Sequence, residues 1–205
     1  MRIPLRRLQS RTTLVTLGAW PRIIPSAHKK TPAGAGFGSS RFSSPSRSFR
    51  VLYAAEDFPT AFSEAVVRDR MEGKQLRFLY RPQLEALMAT NIGSTAGLKL
   101  LDLTNGGAYE LGIDTDTSRS RAHSKGQTFS EALHAETDFD GILFNSRLTT
   151  GKCVAIYDRA FARLAGSTPT EIVRLDALYT EVQRLGITIR RAYGTGNMSS
   201  ETSEA

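Results

Sequence analysis

Val51-Leu52-Tyr53-Ala54-Ala55-Glu56-Asp57-Phe58-Pro59-Thr60-Ala61-Phe62-Ser63-Glu64 is the stretch that decides how this 205-residue chain is read. Val51–Ala55 is a short apolar run with polar residues on both sides, the pattern of a buried strand. Asp57 followed by Pro59 marks a helix start. Phe58, Ala61, Phe62, Ala65 and Val66 recur at helical spacing and predict an amphipathic helix over residues 58–71. Glu64 falls at the border of its apolar face.

Upstream, residues 30–48 are rich in Gly, Ser and Pro and read as loop. Downstream, Leu76–Tyr80, Leu98–Leu103, Gly141–Phe144, Cys153–Tyr157 and Ile187–Ile189 read as strands, and Pro82–Thr90 and Thr128–Ala135 as helices. Thr168 and Pro169 open a further helix with the stripe Ile172, Leu175, Leu178, Val182 and Leu185, ended by Gly186. Strands and helices mix without regular βαβ alternation, so the fold class is α+β.

Charge is divided unevenly. The chain carries 27 Lys/Arg and 20 Asp/Glu, net +7. Residues 1–50 hold ten of the basic residues and none of the acidic ones; residues 51–205 are net −3. Residues 1–19 are expected to form a basic, solvated N-terminal arm, residues 20–193 the folded domain, and residues 194–205 a disordered polar tail. An Arg-rich, acid-free start also leaves open a targeting segment or a nucleic-acid arm, although few aromatics are interleaved with the charges.

Several chemistries are excluded. No apolar window is long enough to span a bilayer. One cysteine, Cys153, allows no internal disulfide framework and no zinc-type cluster, and the three histidines lack ligand spacing, so no metal site is expected. A reducing, cytoplasmic setting is the default. No Gly-x-Ser-x-Gly elbow is present. Gly34-Ala35-Gly36-Phe37-Gly38 neither follows a strand nor opens a helix, so it reads as loop and not as a phosphate cradle.

One constellation carries more. Arg41 lies in the loop before the first strand, Tyr53 in that strand and Glu64 in the next helix. A loop, a strand and a helix packed together bring a guanidinium, a phenol and a carboxylate to one cleft. Taken singly, each residue has an ordinary reading: Arg41 surface, Tyr53 core, Glu64 a solvated helix residue.

An ordered set of phrases adds to this. Ser40-Arg41-Phe42, Val51-Leu52-Tyr53-Ala54-Ala55, Ala61-Phe62-Ser63-Glu64, Leu101-Asp102-Leu103-Thr104, Asp140-Gly141-Ile142, Asn145-Ser146-Arg147 and Ala155-Ile156-Tyr157-Asp158-Arg159-Ala160 resemble, in order and spacing over residues 20–160, the RES domain family. That family is named for Arg, Glu and Ser positions matching Arg41, Glu64 and Ser146. Arg22 matches an arginine common at the family's start. Phe129 departs from a tryptophan that many members carry.

The resemblance implies an ADP-ribosyltransferase-like β core flanked by helices. It implies a NAD-consuming toxin of a toxin–antitoxin pair that cleaves the nicotinamide–ribose bond by hydrolysis or phosphorolysis. NAD is then a substrate, inorganic phosphate a co-substrate in the second case, and no resident cofactor is needed. The implied partner is an Xre-type helix-turn-helix antitoxin that covers the active site and makes any DNA contact indirect; a homodimer is also implied. Glu64, Arg41 and Tyr53 would be catalytic, and Arg22, Ser146, Phe42 and Gln127 would contact NAD. The acceptor is not written in the trio, so protein ADP-ribosylation stays open, as does a non-catalytic basic module holding nucleic acid.

Overall fold

The computed structural model describes residues 5–71, 73–113 and 123–191. The strand anticipated at residues 51–55 is β3 (Val51–Ala55), and it forms one edge of a five-stranded sheet. The other strands are β1 (Thr12–Val15), β6 (Leu98–Asp102), β7 (Gly141–Asn145) and β8 (Lys152–Tyr157), in the order β1-β6-β7-β8-β3. Only β6 and β7 run parallel; β3 pairs antiparallel with β8 in the register Val51↔Tyr157, Tyr53↔Ala155, Ala55↔Cys153.

β3, β7 and β8 are covered on both faces, which is why they are near-continuous apolar runs. Val51, Ala55, Cys153, Ala155 and Tyr157 point to a core shared with Phe42, Phe49 and Leu133. The alternate residues Leu52, Ala54, Val154 and Ile156 point to a second core with Leu17, Ile92 and Leu100. The period of two along each strand sorts the side chains between the faces. Gly141 sits where a Cβ would collide with the carbonyl oxygen of Ala155, so a close crossing of β7 and β8 requires glycine there.

The second sheet surrounds β5 (Leu87–Ser94). It pairs with β2 (Trp20–Pro25) along one side and with β9 (Leu164–Gly166) and β10 (Thr170–Glu171) along the other. β4 (Phe78–Tyr80) and β11 (Thr188–Arg190) form a short parallel pair. A third core gathers Phe62, Val66, Met71, Leu79, Leu84, Ile172, Leu178 and Val182 between the helices.

The α+β class is as expected. The helix over residues 58–71 is continuous but changes pitch: α2 (Phe58–Phe62) leads into a π-helical turn (Ser63–Val67) and then α3 (Arg68–Met71). Asp57 caps its start, accepting from the Thr60 amide at 2.7 Å. The remaining helices are α1 (Leu5–Ser10), α4 (Arg81–Glu85), α5 (Gly107–Glu110), α6 (Ser124–Glu136) and α7 (Asp176–Arg184).

Three expectations are corrected. Residues 5–17 are not a solvated arm: β1 pairs with β6, Leu8 and Leu17 are buried, and Arg11 donates to the carbonyl oxygens of Asp102 (3.2 Å) and Thr104 (2.9 Å). The segment Pro82–Thr90 is helical only to Glu85, because from Leu87 the backbone bonds pass to β2. Thr168-Pro169 does not open a helix: Thr170 and Glu171 pair with Ala89 and Met88, Ile172–Arg174 forms a 3-10 turn, and α7 starts at Asp176. In each case non-local strand pairing outweighs a local pattern. The tail over residues 194–205 lies outside the described residues. No helix among the described residues is long and apolar enough to cross a membrane.

Candidate active site

Local chain chemistry brings four elements to one cleft. β2 supplies Arg22, the loop before β3 supplies Ser40 and Arg41, β3 supplies Tyr53, and the α2–π–α3 helix supplies Glu64, Ala65 and Arg68. With Phe144 and Cys153 behind them they line a cavity of about 270 Å³. A more open groove of about 410 Å³ lies near Leu8 and Phe139. There Lys99 pairs with Asp138 at 2.6 Å and Arg159 donates to the carbonyls of His134 and Thr137.

Glu64 is held at both oxygens. Oε1 accepts from Ser146 Oγ at 2.6 Å and from the Arg147 amide at 3.3 Å; Oε2 accepts from Arg68 Nη1 at 2.8 Å. The π-helical turn sets Glu64 and Arg68 on the pocket side, and such turns recur at functional sites. Ser146 has a single hydroxyl proton, and it goes to Glu64. Its oxygen accepts from the amides of Leu148 (3.1 Å) and Thr149 (3.2 Å), which fixes the rotor. Ser146 therefore orients the carboxylate.

Arg41 is buried beside this carboxylate. Burial lowers its pKa, Glu64 raises it, and Arg147 and Arg68 lower it again. Arg22 donates to the Gly34 carbonyl at 2.9 Å and the Tyr53 carbonyl at 3.4 Å, while its buried Nε has no hydrogen-bond partner among the described residues. Burial brings the Arg22 pKa down to about 10. Two desolvated guanidiniums facing one cavity favour an incoming anion. The Tyr53 hydroxyl accepts from the Phe42 amide at 3.0 Å, and burial pushes its pKa up to about 12. It is neutral at physiological pH, its hydroxyl is engaged, and the residue lines the pocket. Burial also pushes the Cys153 thiol upward, which makes it a packing residue.

Five of the seven sequence-derived site residues meet at the cleft: Arg22, Arg41, Tyr53 and Glu64 line it, and Ser146 touches Glu64. Two do not. Phe42 is fully buried, edge-on to Phe144 at 5.1 Å, so its ring is core and cannot line a ligand pocket. Gln127 bonds the carbonyls of Ser39 and Ser40, both at 3.2 Å, and is absent from the cavity lining. Sequence reading missed Arg68 and Arg147. Arg68 had a signal, its i+4 spacing from Glu64; Arg147 follows Ser146 directly.

An α+β chain with one clamped carboxylate inside an arginine-lined cleft is the class that fold and site define. The RES domain family model matches residues 19–176, and the chain belongs to this family. A probable toxin, y4kH of Sinorhizobium fredii, is 32% identical over 101 residues, covering 48% of this chain and 79% of that protein. Among solved structures, a chain of the M. tuberculosis MbcT–MbcA toxin–antitoxin complex superposes with a TM-score of 0.64 at 20% identity, over 88% of this chain and 96% of that one.

Proposed function

We propose that this protein is the toxin of a toxin–antitoxin pair and acts by cleaving the nicotinamide–ribose bond of NAD. One observation carries the reading: a single carboxylate, Glu64, clamped by Ser146, Arg147 and Arg68 in a pocket with Arg22 and Arg41. Family membership and the similarity to a probable toxin and to a chain of a toxin–antitoxin complex support the toxin role.

The chemistry suits this set of groups. Nicotinamide in NAD is a cationic leaving group. When the glycosidic C–N bond breaks, its electron pair goes to the ring nitrogen, and no strong acid is needed. The ribose left behind resembles an oxocarbenium ion, and a preorganised carboxylate stabilises that developing positive charge. Glu64 takes this role, held in one orientation by its three donors. Arg41 and Arg22 take the pyrophosphate, where a planar guanidinium binds two oxygens at once. Tyr53 offers a ring face to the nicotinamide end. Water or inorganic phosphate then attacks the ribose carbon through oxygen, and the proton released passes to solvent. The partner in this reading is an Xre-type antitoxin that closes the cleft, the protein works in the cytoplasm, and a homodimer belongs to the same reading. Four of the ten basic residues in the N-terminal quarter are engaged within the fold: Arg11 binds Asp102 and Glu110, Arg50 binds Asp158, and Arg22 and Arg41 face the pocket.

The test is NAD consumption by the purified chain, with and without phosphate, beside Glu64→Gln. The expected result is loss of NAD with release of nicotinamide, reduced about 10²–10³-fold in the variant. A phosphate requirement would identify phosphorolysis. No NAD loss in either condition overturns the reading, and label transferred from NAD to protein would replace it with protein ADP-ribosylation.

A further inference from the structure

The loop that carries Arg41 has no regular secondary structure, yet its backbone polar groups need partners. Several carbonyls flanking Arg41 find them on one face of one helix. His123 Nδ1, at the N-cap of α6, donates to the Ser39 carbonyl at 2.8 Å. Gln127 Nε2 donates to the carbonyls of Ser39 and Ser40. Ser130 Oγ donates to the Phe42 carbonyl at 2.8 Å, and Tyr157 Oη lies 2.9 Å from it. Glu131 accepts from the Ser44 hydroxyl at 2.9 Å and from the Ser46 hydroxyl. Positions 123, 127, 130 and 131 are spaced i, i+4, i+7 and i+8, one stripe of an α-helix. They grip the loop on both sides of Arg41, through Ser40 before it and Phe42 after it. The Phe42 amide is fixed in turn by Tyr53.

We infer that Gln127 and Ser130 are positioning residues for Arg41, and that the polar stripe of α6 sets the anion affinity of the cleft without touching the ligand. A guanidinium on a slack Gly/Ser-rich loop has to be ordered when an anion binds. The same group on a loop already held at its carbonyls is preorganised, and its affinity is higher by that difference. The inference rests on the proposed reading only in taking the pyrophosphate group as the ligand portion that Arg41 meets.

The experiment uses the full chain and inorganic pyrophosphate as probe, so that it does not depend on NAD cleavage. Gln127→Leu keeps the side-chain size and removes the donors. The expected results are faster amide hydrogen exchange confined to residues 39–44, pyrophosphate affinity about tenfold weaker, and an unchanged melting temperature. In a double-mutant cycle, Gln127→Leu added to Arg41→Lys should cost less than about twofold more, because both act on one group. Ser130→Ala, which frees the Phe42 carbonyl, is the second variant should the first fold poorly, with the same expected exchange and affinity changes and a lowered melting temperature from the lost buried hydrogen bond. Unchanged affinity, fully additive losses, or unchanged exchange at residues 39–44 would overturn the inference. So would a parent chain that binds no pyrophosphate. A chain that binds pyrophosphate through this loop yet leaves NAD intact would sink the proposed function and leave the positioning role standing.

Discussion

Ser146 and Glu64, 82 positions apart in the chain, share a 2.6 Å hydrogen bond at the centre of the cleft. Ser146→Ala removes one of two donors to Oε1 and leaves the amides of Leu148 and Thr149 without their acceptor. Turnover of NAD should fall about tenfold with KM little changed, and stability by about 1–2 kcal/mol. Steady-state kinetics beside a thermal melt checks both. A raised KM with unchanged kcat would mean that Ser146 binds ligand instead of orienting Glu64.

Arg41→Lys keeps the charge and loses the planar fork. NAD affinity, measured by calorimetry in a Glu64→Gln background where substrate survives, should weaken at least about tenfold. Equal affinity would reassign the pyrophosphate contact to Arg22 or Arg68, the other guanidiniums lining the pocket.

Gly141→Ala forces a methyl group into the carbonyl oxygen of Ala155, backbone against backbone with no flexible side chain to yield. The expected loss is about 3 kcal/mol, or roughly 6–12 °C in Tm for a chain of this size. A melt within 2 °C of the parent, by rough comparison with that range, would show that β7 and β8 separate more easily than their register implies.

His134 lies flat on Phe49 with ring centroids 4.2 Å apart. Burial first, then Arg159, hold its imidazole below the ordinary value of 6.5, against the pull of Asp158. On acidification the unfolded chain takes up this proton before the folded chain does. The contribution is therefore present above pH 6.5 and is lost as pH falls through the lower folded value. Tm should decline as pH falls below 6.5, and His134→Gln should flatten that part of the profile. The same slope in the variant would assign the acid sensitivity elsewhere.

Deleting residues 1–18 removes β1 from the sheet edge, the buried side chains of Leu8 and Leu17, and the bonds from Arg11 to the turn after β6. Burial of two leucines alone is worth about 4 kcal/mol. The truncated chain should lose its cooperative melt by circular dichroism; an unchanged melt would restore the view of this segment as an arm.

That segment also shows where sequence reading reaches its limit. β3, β7 and β8 were legible because burial on both faces writes a continuous apolar run, and the helix from Phe58 because Asp57 and Pro59 punctuate it. β1 alternates exposed and half-buried residues, and β2 contains Pro21 and Pro25. Their strand character comes from partners 62 to 89 positions away, β5 and β6, which no local window contains. The site followed the same rule. Glu64, Arg41, Tyr53 and Arg22 stood out by residue type and order. That Phe42 is core and Gln127 a brace depends on how α6 meets the loop, a tertiary fact. The missed Arg68 was within reach of helical spacing.

The pairing of β3 with β8 joins Val51 to Tyr157. On the ribosome, Arg41, Tyr53 and Glu64 emerge long before Ser146, Arg147 and the strand that anchors β3. Until Ser146 and Arg147, 82 and 83 positions after Glu64, have been synthesised, the carboxylate clamp is incomplete. Translation thus delivers the carboxylate well before the groups that hold it, and the site assembles only once β8 has emerged to anchor β3.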